Sequence, residues 1–147
     1  MGQAIEEAKK GLQEGEVPVG ALLIGPDGAM IASAHNQPIA LNDPTAHAEI
    51  LVLRSASAIM RNYRLMGSTV VVTVEPCLMC MGSLIQARVS RLIFGAFDPK
   101  AGAAGSIYNL ADDHRLNHRI EVVSGIMAKE CGALLQDFFR ARRIEIA

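Results

Sequence analysis

Ser68-Thr69-Val70-Val71-Val72-Thr73-Val74-Glu75-Pro76-Cys77-Leu78-Met79-Cys80 is the stretch on which the fold turns. Its first seven residues are mostly β-branched and follow Gly67, which predicts a strand over 68–74. Pro76 has the fixed φ that suits a first helical turn, and the apolar run behind it predicts a helix over about 76–87. Arg91 to Phe94 then reads as a short strand, so the unit is strand, helix, strand.

The rest of the chain repeats that alternation. Gln3 to Leu12 predicts a helix ending near Gly15. Ala21 to Ile24 and Met30 to Ala34 predict a hairpin around the turn Gly25-Pro26-Asp27-Gly28. Asn42-Asp43-Pro44 predicts a helix start, with the helix over about 45–58. A glycine-rich loop follows at 98–105. Arg119 to Val123 predicts a strand and Met127 to Arg142 a last amphipathic helix. Strands alternating with helices predict a layered α/β domain. At 147 residues, one domain over 1–147 is expected.

Composition narrows the function classes. Half of the residues are hydrophobic, a fifth are charged and the net charge is -1, which excludes a polycationic nucleic-acid coater. Charge is uneven: residues 1–50 hold two basic and seven acidic groups, and residues 51–147 hold twelve and eight. That is either ordinary surface variation or a local phosphate-binding face. No apolar run reaches about 18 residues, so no membrane span is expected. The first residues lack a signal-peptide core. Three cysteines leave one unpaired, and a reducing cytoplasmic location is expected.

Two short motifs carry chemistry. Cys77 and Cys80 are three apart, so both sulfurs share one helix face. A helix N-terminus favours the thiolate form there. Alone, this spacing fits a metal pair, a redox pair or two core cysteines. His47-Ala48-Glu49 also occupies an early helical turn; singly, His47 fits packing and Glu49 a solvated carboxylate. Helices that follow strands of an α/β sheet converge at the carboxyl edge, where ligand sites lie. One imidazole and two thiolates make three protein ligands, and catalytic zinc sites keep a fourth place for water. Cys131 is either a fourth ligand or a buried inert thiol inside the last helix. In the open case Glu49 faces the water and moves its proton.

His47-x-Glu49 with Pro76-Cys77-x-x-Cys80 is a signature known from zinc-dependent deaminases, and the chain resembles the cytidine/adenosine deaminase superfamily. Within it, the chain is similar to the bacterial tRNA-specific adenosine deaminases. That similarity runs from about Gly15 to Arg143 and includes Val17-Pro18-Val19-Gly20, His35-Asn36, Asp43-Pro44-Thr45-Ala46-His47-Ala48-Glu49, Asn62-Tyr63-Arg64-Leu65, Asp98-Pro99-Lys100, Asn117-His118-Arg119 and Phe138-Phe139-Arg140.

The resemblance implies a three-layer α/β/α cytidine-deaminase-like fold with a central mixed sheet of about five strands. It implies one Zn2+ per subunit on His47, Cys77 and Cys80, with Glu49 as general acid/base. The implied reaction converts adenosine to inosine at the wobble position of a tRNA anticodon. Asn36, Asp98, Lys100, Asn117 and Phe138 are the implied substrate-binding residues, and a homodimer is the implied assembly. Each of the five also has a plain reading as a turn, solvated or packing residue. Deamination of a free nucleobase or nucleoside is the alternative activity, and a noncatalytic zinc-stabilised binding module is the alternative class. The chain departs from the family at Phe97, where a polar or charged residue is common, and its lead-in before the first helix is short.

Overall fold

The computed structural model describes residues 1–146. The elements run α1 (Gly2–Gln13), β1 (Gly20–Ile24), β2 (Met30–His35), α2 (Pro38–Leu41), α3 (Ala48–Met60), β3 (Thr69–Val74), α4 (Leu78–Gln86), β4 (Arg91–Ala96), β5 (Glu121–Val123) and α5 (Ala128–Ile146). The five strands form one mixed sheet in the order β2-β1-β3-β4-β5. β1 pairs antiparallel with β2 and with β3, whereas β3, β4 and β5 run parallel. The three-layer α/β/α expectation is met.

Alternation along the strands assigns the two faces. Leu23, Val70, Val72, Leu92 and Phe94 pack with Val52 and Ala56 of α3 and with Met81 and Leu84 of α4, in the main core. Leu22 and Val71 turn the other way onto Ala4 of α1. Ala96 and Cys131 meet Ile5 in a smaller cluster between α1 and α5. Gly20 is where α1 crosses β1: a Cβ there would lie 2.0 Å from the Ala4 carbonyl oxygen, so only glycine fits.

The structure moves two helix starts. The helix expected from Thr45 begins at Ala48, because Asp43 Oδ1 accepts the Thr45 N–H at 2.8 Å and its hydroxyl at 2.7 Å. That turn holds Pro44 and Thr45 outside the helix. The helix expected from Pro76 begins at Leu78, with Cys77 extended at φ -76° and ψ 177°. The last helix continues past Arg142 to Ile146, and the strand expected from Arg119 begins at Glu121. α2 was not foreseen. It forms because the buried Glu16 carboxylate accepts the backbone N–H groups of Ile39 at 3.1 Å and Ala40 at 2.9 Å. These amides are the unpaired donors of its first turn.

Candidate metal centre and active site

β2 and β3 deliver two loops to one edge of the sheet. His47 is the N-cap residue of α3 and Cys77 the N-cap residue of α4; neither side chain caps its own helix. Both backbones are extended, which aims the side chains away from the helices and toward each other. Cys80, one turn into α4, is fully buried.

The donor atoms of His47, Cys77 and Cys80 lie within 4.8 Å of one another. His47 Nδ1 is 3.7 Å from Cys77 Sγ and 3.4 Å from Cys80 Sγ. Tetrahedral zinc with ordinary Zn–N and Zn–S bonds sets its nitrogen and sulfur ligands roughly 3.5 Å apart. The spacing and the soft donor set therefore fit one zinc ion, with three ligands and one open corner. Cys131 is not in this group. It packs at the α5 face, where a Cβ on Gly95 would come within 2.5 Å of its sulfur.

Hydrogen bonding from Cys80 and then from His47 brings the Cys77 thiol down to about 3, so Cys77 is a thiolate. The same contact with Cys77, together with burial, pushes Cys80 up. The Cys77 contact raises the His47 imidazole, against its partial burial. The protons that remain on Cys80 and His47 are those a divalent cation displaces on binding.

Glu49 occupies the first turn of α3, two residues after His47, and is only 4% exposed. Burial pushes its carboxyl up, more than the hydrogen bond from Cys80 and the His47 charge draw it down. A carboxyl raised by burial beside a metal-binding triad has the properties of a proton shuttle.

Of the residues expected from the sequence, Asn36 joins the centre most directly. It follows β2, is buried, and its Oδ1 accepts the Ala48 N–H at 2.7 Å. It thus caps α3 in place of His47. No buried side-chain nitrogen or oxygen among the described residues lacks a partner, so the remaining Asn36 NH2 group opens outward. Asn36 lines a cavity of about 260 Å³ together with Glu16, Val17, Ile39, Phe138 and Arg142. Asn36 and Phe138 are thereby brought to one groove. Arg142 closes its far wall: its guanidinium stands 5.1 Å over the Phe138 ring and donates to the Gly15 carbonyl at 2.7 Å.

Asp98 and Lys100 lie on the loop after β4. Asp98 Oδ1 accepts the Lys100 N–H at 3.0 Å and the Ala101 N–H at 3.2 Å, and the Lys100 side chain is exposed. The loop returns to the centre through a bridge between Gly102 and Cys77. Asn117 is not brought to the cluster. It accepts from Arg88 Nη1 at 3.2 Å, beside the start of β4 and β5 and hence at the other edge of the sheet.

Sequence reasoning missed Glu75 as an organising residue. Its buried carboxylate accepts the N–H groups of Asp98, Ala104 and Ser106, each at 3.0 Å, and the Ser106 hydroxyl. Burial opposes its ionisation, but these donors hold it below the ordinary glutamate value. The available signal was a glutamate at a strand end with a glycine-rich, amide-donating loop downstream. His35, just before Asn36, is likewise engaged: Nδ1 is 3.1 Å from Glu7 and Nε2 3.0 Å from Glu14.

Comparison with known proteins agrees with this centre. The family model for the cytidine and deoxycytidylate deaminase zinc-binding region matches residues 1–96. The chain is 47% identical over 145 residues to a tRNA-specific adenosine deaminase of Haemophilus influenzae, covering 99% of this chain and 84% of that one. It is 48% identical over 143 residues to a tRNA-specific adenosine deaminase of Bacillus subtilis, covering 97% and 88%. A solved structure from a study of A-to-I editing by tRNA:A34 deaminases superposes with a TM-score of 0.87 at 41% identity, covering 90% of this chain and 95% of that one.

Proposed function

Because the chain belongs to the cytidine and deoxycytidylate deaminase zinc-binding family, we propose that it hydrolyses adenosine to inosine and ammonia at the wobble position of a tRNA anticodon. The observation that carries this reading is the three-ligand triad with buried Glu49 beside it and the Asn36–Phe138 groove alongside. The substrate follows from the tRNA-specific relatives, which match almost the whole chain.

Zinc held by His47, Cys77 and Cys80 would supply Lewis-acid activation of water near neutral pH. Glu49 would take one proton from that water as its oxygen bonds to C6 of the adenine and pass it to N1; it would then take the second proton, from the C6 hydroxyl so formed, and pass it to the amino group, which leaves as ammonia when the C6–N bond breaks. The NH2 group of Asn36 orients the nucleotide that has been turned out of the loop. Phe138 and Arg142 wall the groove for its neighbours, with Asp98 and Lys100 on the opposite loop. A loop base is cheaper to extrude than a paired one, which suits an anticodon substrate. The same reading makes residues 1–147 one deaminase domain, working as a cytoplasmic homodimer; sedimentation tests the assembly. No described helix is long and apolar enough to cross a membrane.

The decisive experiment incubates the zinc-loaded protein with tRNA carrying adenosine at the wobble position, beside free adenine, cytosine and guanine. Inosine in the tRNA is the expected product. Turnover of free bases alone overturns the assignment in favour of a nucleobase deaminase.

A further inference from the structure

Phe97 follows β4 as a large hydrophobic residue left 55% exposed. It is nevertheless held in place. Its ring meets buried Phe94 edge to face, with centroids 5.2 Å apart and planes at 89°. Its backbone is pinned on both sides by one residue: Glu75 donates its N–H to the Ala96 carbonyl at 2.8 Å, and the Asp98 N–H donates to the Glu75 carboxylate at 3.0 Å. Cys77 is two residues beyond Glu75, so their Cα atoms are at most about 7 Å apart. Phe97 thus stands at the same sheet edge as the metal ligands, one strand over, and begins the loop that carries exposed Lys100.

An exposed aromatic ring that is already ordered loses little freedom when a second ring stacks on it. Every nucleobase offers a π-face, and base–aromatic stacking is the usual way a splayed single strand is held. We propose that Phe97 is a specificity-determining residue, a stacking platform for a nucleobase flanking the deaminated adenosine. The inference rests on the tRNA reading above. The target base belongs to the Glu49 and Asn36 side of the centre, so Phe97 takes its neighbour in the anticodon loop.

The test compares the wild type, Phe97→Leu and Phe97→Tyr on an anticodon stem-loop RNA. Each is assayed on the intact RNA and on versions with an abasic residue immediately 5′ or 3′ of the target adenosine. Leucine keeps an apolar side chain against Phe94 and removes the π-face; tyrosine restores it. The expected result is a KM about tenfold higher for Phe97→Leu on intact RNA, with a smaller change in kcat and recovery in Phe97→Tyr. On one of the two abasic RNAs, wild type and Phe97→Leu should then coincide. Equal KM for wild type and Phe97→Leu on intact RNA overturns the proposal. So does a KM defect of the same size on the intact RNA and on both abasic RNAs, or a loss of dimer in Phe97→Leu that accounts for the defect. If wild type fails on every RNA yet deaminates a free base, the tRNA reading itself fails, an outcome distinct from the others.

Discussion

The Asn36 side-chain oxygen accepts the Ala48 N–H at 2.7 Å, so the end of β2 caps the helix that presents His47 and Glu49. His47 occupies the position whose side chain would ordinarily cap the helix, and its imidazole faces the two sulfurs instead. The capping oxygen therefore comes from another segment.

That division of labour predicts different outcomes at one position. Asn36→Ala removes the cap and should cost about 1 kcal/mol, or about 3 °C in Tm. Asn36→Asp keeps an acceptor at a helix N-terminus and should melt close to wild type. Both should lose most deamination, since both lack the NH2 group. Thermal melting beside the tRNA assay checks this, and an active Asn36→Asp variant would remove the substrate role from Asn36.

Glu49→Gln should fold, hold zinc at wild-type stoichiometry and lose about a hundredfold or more in kcat. Its Tm should not fall, because burial disfavours the charged carboxylate that the substitution removes. Metal analysis and single-turnover rates read this out. Undiminished turnover would exclude Glu49 as the proton shuttle.

Chelation should abolish turnover and lower Tm, and stoichiometric zinc should restore both. Zinc uptake should weaken as pH falls, since the displaced protons include the one that Cys77 holds on His47. Calorimetric titration in buffers of differing ionisation enthalpy would register those protons. Full activity in protein verified as metal-free would contradict the centre.

His35 predicts a pH dependence of stability. Burial lowers its affinity for a proton, but hydrogen bonds to Glu7 and Glu14 raise it further, so the folded imidazole lies above its ordinary value. A folded value above the unfolded one, about 6.5, gives stabilisation that is complete below that pH. It is lost as pH rises through the folded value. The Tm gap between wild type and His35→Gln should therefore be larger near about pH 6 than near about pH 9. Denaturation across that range tests it, and a constant gap would mean that the two carboxylates do not act on a protonated ring.

A Cβ placed on Gly102 would lie 2.3 to 2.4 Å from the Glu75 carboxyl atoms. Gly102→Ala should therefore displace the 98–106 loop and lower both Tm and activity. Glu75→Ala leaves the buried Ala104 N–H without an acceptor, at about 1–3 kcal/mol, and frees the part-buried Asp98 and Ser106 amides. Once the carboxylate is gone, Gly102→Ala should add little. A double-mutant cycle measures that coupling, and strict additivity would refute the steric account.

What the sequence disclosed was local. The β-branched run before Pro76, the three-residue spacing of Cys77 and Cys80, and the hairpin around Pro26 each depend on near neighbours, and each stands in the structure. The misplaced start of α3 depends on a side chain competing for an amide: Asp43 captures Thr45 before the helix can. α2 and the 98–106 loop were hidden for a different reason. They hang on Glu16 and Glu75, whose partners lie more than twenty residues away, and no local pattern announces such a pairing. Asn117 shows the converse: a matching motif gives a residue type but not its place in the fold.

Apart from the Ser106 hydroxyl, Glu75 grips its loop through main-chain amides, which every residue except proline possesses. The outward-facing positions at Lys100, Ile107 and Tyr108 can therefore be exchanged without disturbing the scaffold beneath them. Shape and selectivity are separately inherited in this segment. That makes it the natural place to graft new sequence tastes onto unchanged chemistry.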